Sequence, residues 1–434
     1  MYSFINRWLT VAHIVALQKL VQAGTGVITA ALIVIFLSPH EQGYYVTLGS
    51  LLSSYTLLDL GLSVLLVQVS ARYFAGLEWT DNGGIVPPGE RRTAFLALIR
   101  WSIRWYAQAG VATLALIPIG WVYFHFSASN TGEVAWQLPW ISIVVAIALS
   151  MPAIGFLAIL EGAGRIRGIY LLRMGQYILG ALMAWTLFLS GKGLFAQAAA
   201  PMALAIAGLY WARSRYSELV RNCLEAPNTF SWRRDIWPQH KRVAVSWFSG
   251  YLFLHIPVPI LFYFVGAKDA GQMGLSMTVA NVLGAIAMSS VTAIAPHFTT
   301  LIAQQDISTA NRLFKSAFIK SMSLLLAASL FLIVLVAFLQ ATPFSQRVLS
   351  PLQLAFLFGI FACFHAINGL AIYFRAFGRE PLAIPSLLAA LLQIVGALTA
   401  VHFYGMNGLL LAMLGVYFLL SGYVIRCLKQ VAHA

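Results

Sequence analysis

The stretch "YTLLDLGLSVLLVQ", residues 55–68, sets a carboxylate, Asp59, inside a run that is otherwise apolar enough for lipid. Helical spacing puts Tyr55, Thr56, Asp59 and Ser63 on one face, while Leu57, Leu58, Leu60 and Leu62 cover much of the rest. A single polar stripe on a greasy helix must face protein or water. Such a helix belongs in a bundle. The composition agrees: 60% of the 434 residues are hydrophobic, 9% are charged, and the mean hydropathy is +0.82. Soluble domains carry roughly 25% charged residues, so the chain reads as membrane-embedded.

A span needs about 20 mostly apolar residues. Suitable windows fall near 15–37, 44–68, 104–125, 138–160, 169–190, 194–211, 243–265, 273–295, 317–339, 352–374, 382–402 and 407–425. The first window lacks a small-residue cleavage site and reads as a retained span. Two connections are long, 71–92 and 212–242. With the N-terminus inside, the outward loops hold only Lys192, Lys268 and Arg347 of the 27 Lys and Arg residues. That bias follows the positive-inside rule. It predicts a multi-pass membrane protein with both termini cytoplasmic, and it explains the net charge of +14 without nucleic acid. Trp121, Trp136 and Trp140 sit where outer interfacial anchors belong.

The basic segment 212–242 divides six spans from six, giving bundles over 1–211 and 243–434. The halves align. "ALIVIFLSPHEQG" (31–43) lies over "PILFYFVGAKDAG" (259–271), pairing Glu41 with Asp269 and Gly43 with Gly271 at an offset of 228. Gly164–Arg165 pairs with Gly378–Arg379, and "GAL" at 180–182 with "GAL" at 396–398. Six spans per half make the repeat parallel. The predicted fold is all-α: a polytopic membrane protein of about twelve helices in two pseudo-symmetric six-helix bundles around a central cavity. Duplicated transporters place substrate between their lobes.

Candidate functional residues lie on the polar faces of these spans. Asp59 is a candidate for ion coupling; the alternative is a structural Asp that pairs with an arginine or accepts backbone hydrogen bonds. Lys19 and Gln22, with Gln18, mark the first span, where Gly24 and Gly26 suggest close helix packing. Lys19 can also simply snorkel. Arg100 and Arg104 share a face at what reads as the start of the third span, and Arg173 enters the fifth. Arginine forks suit phosphate, and equally anionic headgroups. Trp247, Tyr251 and His255 recur every four residues before Pro257 and Pro259, an aromatic stripe for sugars or for packing, followed by a proline bend. His365 and Asn368, and Thr278 and Asn281, form further polar patches, which commonly do no more than bond between helices. Cys223, Cys363 and Cys427 show no metal or redox spacing. GxxxxGK[ST], HExxH and GxSxG are absent, so neither a cofactor nor direct ATP hydrolysis is expected.

The segment "LSPHEQGYYVTLGSLLSSYTLLDLGLSVLLVQVSARYFAG" (37–76) resembles the opening of bacterial oligosaccharide flippases. These are the O-antigen and polysaccharide exporters of the multidrug/oligosaccharidyl-lipid/polysaccharide exporter superfamily. The marks are Glu41-Gln42-Gly43-Tyr44, Asp59-Leu60-Gly61-Leu62 and the basic helix end at Arg72. "EGAGRIRGIYLLRMGQ" (161–176) and the twelve-span count fit the same family. The resemblance implies a lipid-linked oligosaccharide on a polyisoprenyl pyrophosphate as substrate, with membrane lipids and polysaccharide-assembly proteins as partners. It also implies alternating access and no enzymatic step. Two features depart from it. The loop 77–92 exceeds a minimal connection, and Asp59 has no acidic counterpart, since the offset lands on Ala287. The alternatives are a cation-coupled multidrug antiporter of the same superfamily and a membrane enzyme of glycan assembly.

Overall fold

The computed structural model describes residues 11–80, 83–129, 132–227, 229–377 and 381–432. In chain order the helices are α1 (Val11–Phe36), α2 (Pro39–Leu52), α3 (Thr56–Asp59), α4 (Leu62–Phe74), α5 (Glu90–Thr113), α6 (Leu116–Phe126), α7 (Gln137–Gly162), α8 (Ile166–Leu189), α9 (Ala199–Arg215) and α10 (Ser217–Glu225). They continue with α11 (Trp232–Asp235), α12 (Trp237–His255), α13 (Pro257–Phe264), α14 (Ala267–Ala303), α15 (Ile307–Phe338), α16 (Pro351–Ala376) and α17 (Ala383–Ala432). Two short strands, β1 (Glu78–Trp79) and β2 (Ile85–Val86), pair antiparallel.

Among the described residues, eleven helical segments are long and apolar enough to cross a membrane. The last of them, Ala383–Leu428, is two spans. Gly405 has φ +55° and ψ −137°, which breaks the helix. A Cβ on Gly408 would overlap the Ala400 carbonyl, and one on Gly396 would meet Ala412 at 3.4 Å. Both pairs sit symmetrically about residue 404, the signature of an antiparallel hairpin. Twelve crossings result, and the chain is an all-α, multi-pass membrane protein.

The chain divides into two compact units. Unit 1 comprises the chain up to Ser38, Leu52–His125 and Gly132–Ala244. Unit 2 comprises Pro39–Leu51, a short segment beginning at Phe126, and Val245–Ala434. In unit 1, α7 is the buried centre, flanked by α4, α5 and α9. Gly155 allows this packing: a Cβ there would overlap the Tyr106 ring of α5, so the two helices approach through a missing side chain.

In unit 2, α2 lies against the start of α14, and the offset of 228 reappears as geometry. A Cβ on Gly43 would overlap the Ala267 carbonyl, while one on Gly271 would meet the Pro39 carbonyl at 3.3 Å. A Cβ on Gly274 would meet Val46 at 2.7 Å. Pro39 and Ala267, Gly43 and Gly271, and Val46 and Gly274 are all repeat equivalents. Contacts of the form i to j and j to i are what a local two-fold produces. Gln42, buried, donates to the carbonyls of Gly271 and Arg347, both at 2.9 Å. The "GAL" glycines both pack on alanines, though at positions that the repeat does not make equivalent. Gly180 packs on Ala200 of the following span, and Gly396 on Ala412 of its own. Gly378 and Arg379 lie outside the described residues.

Several expectations need correction. The segment 212–242, expected as a basic cytoplasmic linker between the bundles, is built into the first unit. It folds as α10, α11 and the start of α12 within unit 1, burying Tyr216, Leu219, Cys223 and Ile236. The domain limits 1–211 and 243–434 shift accordingly, and Pro39–Leu51 joins the second unit. The third span begins at Glu90, so Arg100 and Arg104 lie well inside α5. Trp136 and Trp140 are buried against Phe124 at 4.8 and 6.0 Å, while Trp121 is exposed. No atom lies within 4 Å of a Cβ placed on Gly24 or Gly26, so neither serves close packing here. The loop 77–92 folds into the β1–β2 hairpin. It is anchored by Trp79, whose Nε1 donates to the Ala163 carbonyl at 2.7 Å, with Arg165 over the ring at 4.8 Å.

Candidate functional site

Asp59 does not sit on a continuous helix as its spacing suggested. A 3-10 turn at Ser53–Tyr55 precedes α3, which stops at Asp59. Leu60 and Gly61 then adopt left-handed φ values of +40° and +79°. Gly61 tolerates this conformation, whereas Leu60 is a strained exception. The break frees backbone donors at the start of α4, and the Asp59 carboxylate collects them. It accepts from Gly61 N at 3.2 Å, Ser63 N at 3.1 Å and Ser63 Oγ at 2.9 Å. Tyr106 OH donates to it as well. His240 Nε2 lies 3.3 Å from the Asp59 carbonyl. A buried acceptor ringed by four donors is what a carboxylate satisfies best. Ser63 thus faces Asp59 as expected, but through a turn rather than a helical stripe. Tyr106, which the sequence reading missed, is the partner from α5; its position four residues after Ser102 on a mostly apolar face was the available signal.

Elsewhere in unit 1, Gln18 Nε2 and Lys19 Nζ each reach Gln22 Oε1 at 3.4 Å. Gln18 is buried and Lys19 exposed. Arg173 makes an ion pair with Glu161 at 2.7 Å and lies 5.2 Å from the Tyr170 ring, whose hydroxyl also donates to Glu161 at 3.3 Å. Arg173 therefore joins α8 to the end of α7. Arg100 donates to the Ala226 carbonyl, just past the C-terminus of α10, where a cation satisfies terminal carbonyls. Arg104 is exposed and, among the described residues, has no partner.

At the end of unit 1 that carries the β-hairpin, a cavity of about 530 Å³ is lined by Arg72, Tyr73, Ala75, Arg91, Ala94, Arg234 and Asp235. The Arg234 guanidinium, bound to Asp235 at 2.8 Å, holds that carboxyl below the usual range. Burial in α10 pushes the Cys223 thiol up to about 11, so it stays protonated.

In unit 2, α12 ends at His255 and α13 begins at Pro257, which places the expected proline break at Ile256. Tyr251 and His255 pack ring to ring at 5.5 Å, and Trp247 is exposed. His365 is buried on α16, its Nε2 2.6 Å from Ser321 Oγ, which in turn donates to the Ala287 carbonyl at 2.7 Å. Asn368, Thr278 and Asn281 bond to carbonyls of their own helices. The predicted site residues are therefore spread over both units. Asp59, Arg100, Arg104, Arg173, Lys19 and Gln22 belong to unit 1; Tyr251, His255, His365 and Asn368 belong to unit 2. Among the described residues no cluster of His, Cys, Asp and Glu suits a metal.

No known family profile and no curated protein matches the sequence. Solved structures do match in fold. One is an inward-facing multidrug resistance MATE family transporter of the MOP superfamily, at TM-score 0.63 and 14% identity, covering 95% of this chain and 96% of that one. Another is the lipid II flippase MurJ in an inward closed conformation, at TM-score 0.65 and 12% identity, covering 96% and 87%. A third is a MOP superfamily transporter from Pyrococcus furiosus, described by a binding pocket of reverse polarity, at TM-score 0.59 and 12% identity, covering 96% and 94%. At such identities the likeness is one of fold.

Proposed function

We propose that this chain, which shares the fold of MOP superfamily transporters, is a flippase. Its cargo is a lipid-linked oligosaccharide on a polyisoprenyl pyrophosphate, moved across the bacterial cytoplasmic membrane by alternating access for O-antigen or other polysaccharide assembly. The observation that carries the reading is that the acids of unit 1 withdrawn from solvent, Asp59, Glu161 and Asp235, are all engaged by protein groups. Asp59 is engaged by four protein donors and Glu161 by Arg173, whereas Arg72 and Arg104 stand without partners among the described residues. A site for cationic drugs calls for open acids; a site for pyrophosphate calls for open guanidinium groups. A glycan headgroup with its phosphates cannot cross hydrocarbon unaided, because unpaired buried polar groups are very costly.

In this reading Arg104 is the strongest of the candidate phosphate contacts, and Tyr251 with His255 the candidate sugar contacts. Arg100 and Arg173 have structural roles that any ligand role must share. The charge asymmetry orients both termini to the cytoplasm. The deciding experiment is reconstitution into vesicles with a fluorescent polyprenyl-pyrophosphate oligosaccharide. Protein-dependent exposure of the label to an external quencher is the expected result; exposure at the rate of empty vesicles refutes the proposal. The second reading, a cation-coupled multidrug antiporter, is favoured by the fold likeness to MATE transporters. It predicts proton-driven efflux of a cationic dye from the same vesicles.

A further inference from the structure

We propose that the cavity at the hairpin end of unit 1 is a binding site for a phosphorylated headgroup, gripped by Arg72 and Arg234 and extended by a row of aromatic rings suited to attached sugars. The proposal rests on the flippase reading for the identity of that headgroup, but the site itself stands on its own geometry.

Three arginines from three separate elements meet there: Arg72 in the last turn of α4, Arg91 in the first turn of α5, and Arg234 in α11. The β-hairpin brings the first two together. Phe74 stacks on Trp79 at 5.0 Å, and Arg91 Nη1 donates to the Ala75 carbonyl at 3.0 Å, closing the connection between α4 and α5. The wall opposite is fixed by Asp235. Its two oxygens take the Arg234 fork at 2.8 and 3.3 Å, and Oδ2 also accepts from Tyr73 OH at 3.1 Å. Three guanidinium groups against one carboxylate leave a net charge of +2 around about 530 Å³. That volume falls in the range of small-molecule sites, about 300–1,000 Å³. Arg72 has no partner among the described residues, so its whole fork is available. A structural cluster would pair its charges; this one leaves two positive charges uncompensated, which is the electrostatic requirement for a phosphate or pyrophosphate.

An aromatic row starts at the same wall. Tyr73 contacts Phe230 at 6.0 Å, Phe230 contacts Trp101 at 5.1 Å, Trp101 stacks with Trp105 at 6.1 Å, and Trp105 stacks with Trp232 at 6.5 Å. The indole nitrogens of Trp105 and Trp232 are buried without hydrogen-bond partners. Both lie within the stacked row and outside the cavity lining, so what the cavity itself presents to a ligand is its arginines and Tyr73. Tyr73, which lines the cavity, opens this row; flat rings suit sugars, while the arginines suit the phosphate that carries them.

The phosphate could come from a bilayer phospholipid, a prenyl pyrophosphate or free pyrophosphate. The test therefore uses the full-length protein in phosphatidylcholine nanodiscs and measures binding of farnesyl pyrophosphate, with inorganic pyrophosphate and phosphatidylglycerol as competitors. The double variant Arg72→Gln/Arg234→Gln is compared with the parent, and its unfolding midpoint confirms folding. If the double variant is destabilised, Arg72→Gln alone serves, since that side chain has no partner to lose. The expected result is at least a tenfold loss of farnesyl pyrophosphate affinity in the double variant, or at least threefold in Arg72→Gln alone. Better competition by inorganic pyrophosphate than by phosphatidylglycerol supports a pyrophosphate site; the reverse overturns it in favour of a phospholipid anchor. Affinity unchanged within twofold in a folded variant overturns the site altogether. Flipping by the parent separates the two claims. Absent flipping with arginine-dependent binding leaves the pocket standing and removes the flippase reading, while normal flipping with arginine-independent binding does the opposite.

Discussion

Replacing Asp59 separates a structural carboxylate from an ion-coupling one, because the two roles respond differently to alanine and asparagine. In the structure Asp59 accepts from two backbone N–H groups, one serine hydroxyl and one tyrosine hydroxyl. Asp59→Ala removes every acceptor at once. The backbone donors at the start of α4 lose what is in effect a cap, about 0.5–2 kcal/mol, and the buried hydroxyls of Tyr106 and Ser63 lose a charge-assisted partner, about 1.5–3 kcal/mol for such a bond. These terms overlap, so we expect a net loss of about 3–5 kcal/mol, the scale for stripping one partner from a buried charged network. Asp59→Asn keeps one acceptor oxygen; an amide nitrogen in the place of Oδ1 can donate to a rotated Tyr106 hydroxyl but leaves Ser63 N–H, which shares that oxygen, without its acceptor. The expected loss is about 1–2 kcal/mol. Unfolding in detergent, followed by tryptophan fluorescence, measures both. Vesicle transport with and without a proton gradient is run on the asparagine variant. An asparagine variant as stable as the parent within about 0.5 kcal/mol, but insensitive to the gradient, refutes the structural account and restores ion coupling.

Gly43→Ala forces a methyl into the Ala267 backbone and should cost about 1–3 kcal/mol as overpacking, lowering the unfolding midpoint. Gly24→Ala, in open surroundings, should leave it unchanged or slightly raised. Arg173→Gln strands Glu161, and because the pair is partly exposed the loss should be about 1 kcal/mol; the double variant with Glu161→Gln should recover most of it, measured as a double-mutant cycle. Asp306 caps α15 by accepting from Thr309 N at 3.1 Å, and that bond holds its carboxyl below the ordinary value. A folded-state depression contributes stability above the unfolded carboxyl pKa, near about 3.9, and loses it as pH falls through the lower folded value. Asp306→Ala should therefore lower the midpoint at pH 7, and the difference from the parent should shrink as pH falls through the depressed folded value.

The spans were legible because lipid imposes one requirement on the whole length of a helix, and apolar runs answer to it residue by residue. Even the final hairpin was readable as two windows, with Gly405 between them. The break at Leu60–Gly61 was readable too: a glycine shortly after an aspartate is a helix-ending signal, but the unbroken leucine run outweighed it. The folded segment 212–242 hid behind its charge, although Leu219 and Cys223 stand four apart, as an amphipathic helix requires. Other features depend on partners that local pattern does not specify. Trp136 and Trp140 read as interfacial because they flank a span, yet Phe124 and Gly120 of the preceding helix provide the recess that buries them. Ser321 meets His365 across 44 residues, and Arg72 meets Arg234 only once the hairpin and α11 have folded.

The segment Pro39–Phe74 joins these observations, since one apolar span serves two units. Its first part, Pro39–Leu51, packs within unit 2 through the reciprocal glycine crossing with α14. Its last part, from Leu62, packs within unit 1 against α7, where Ser70 Oγ donates to the Ile159 carbonyl at 2.7 Å. Between them lie a 3-10 turn, a four-residue helix and two left-handed residues. A straight helix transmits a displacement along its axis, whereas a span with its hydrogen-bond ladder interrupted can bend where the interruption lies. Asp59 is the group that makes the interruption tolerable in an apolar setting, because it supplies acceptors to the donors that the break exposes. The aspartate that looked out of place in its leucines is therefore explained by the discontinuity of its own helix.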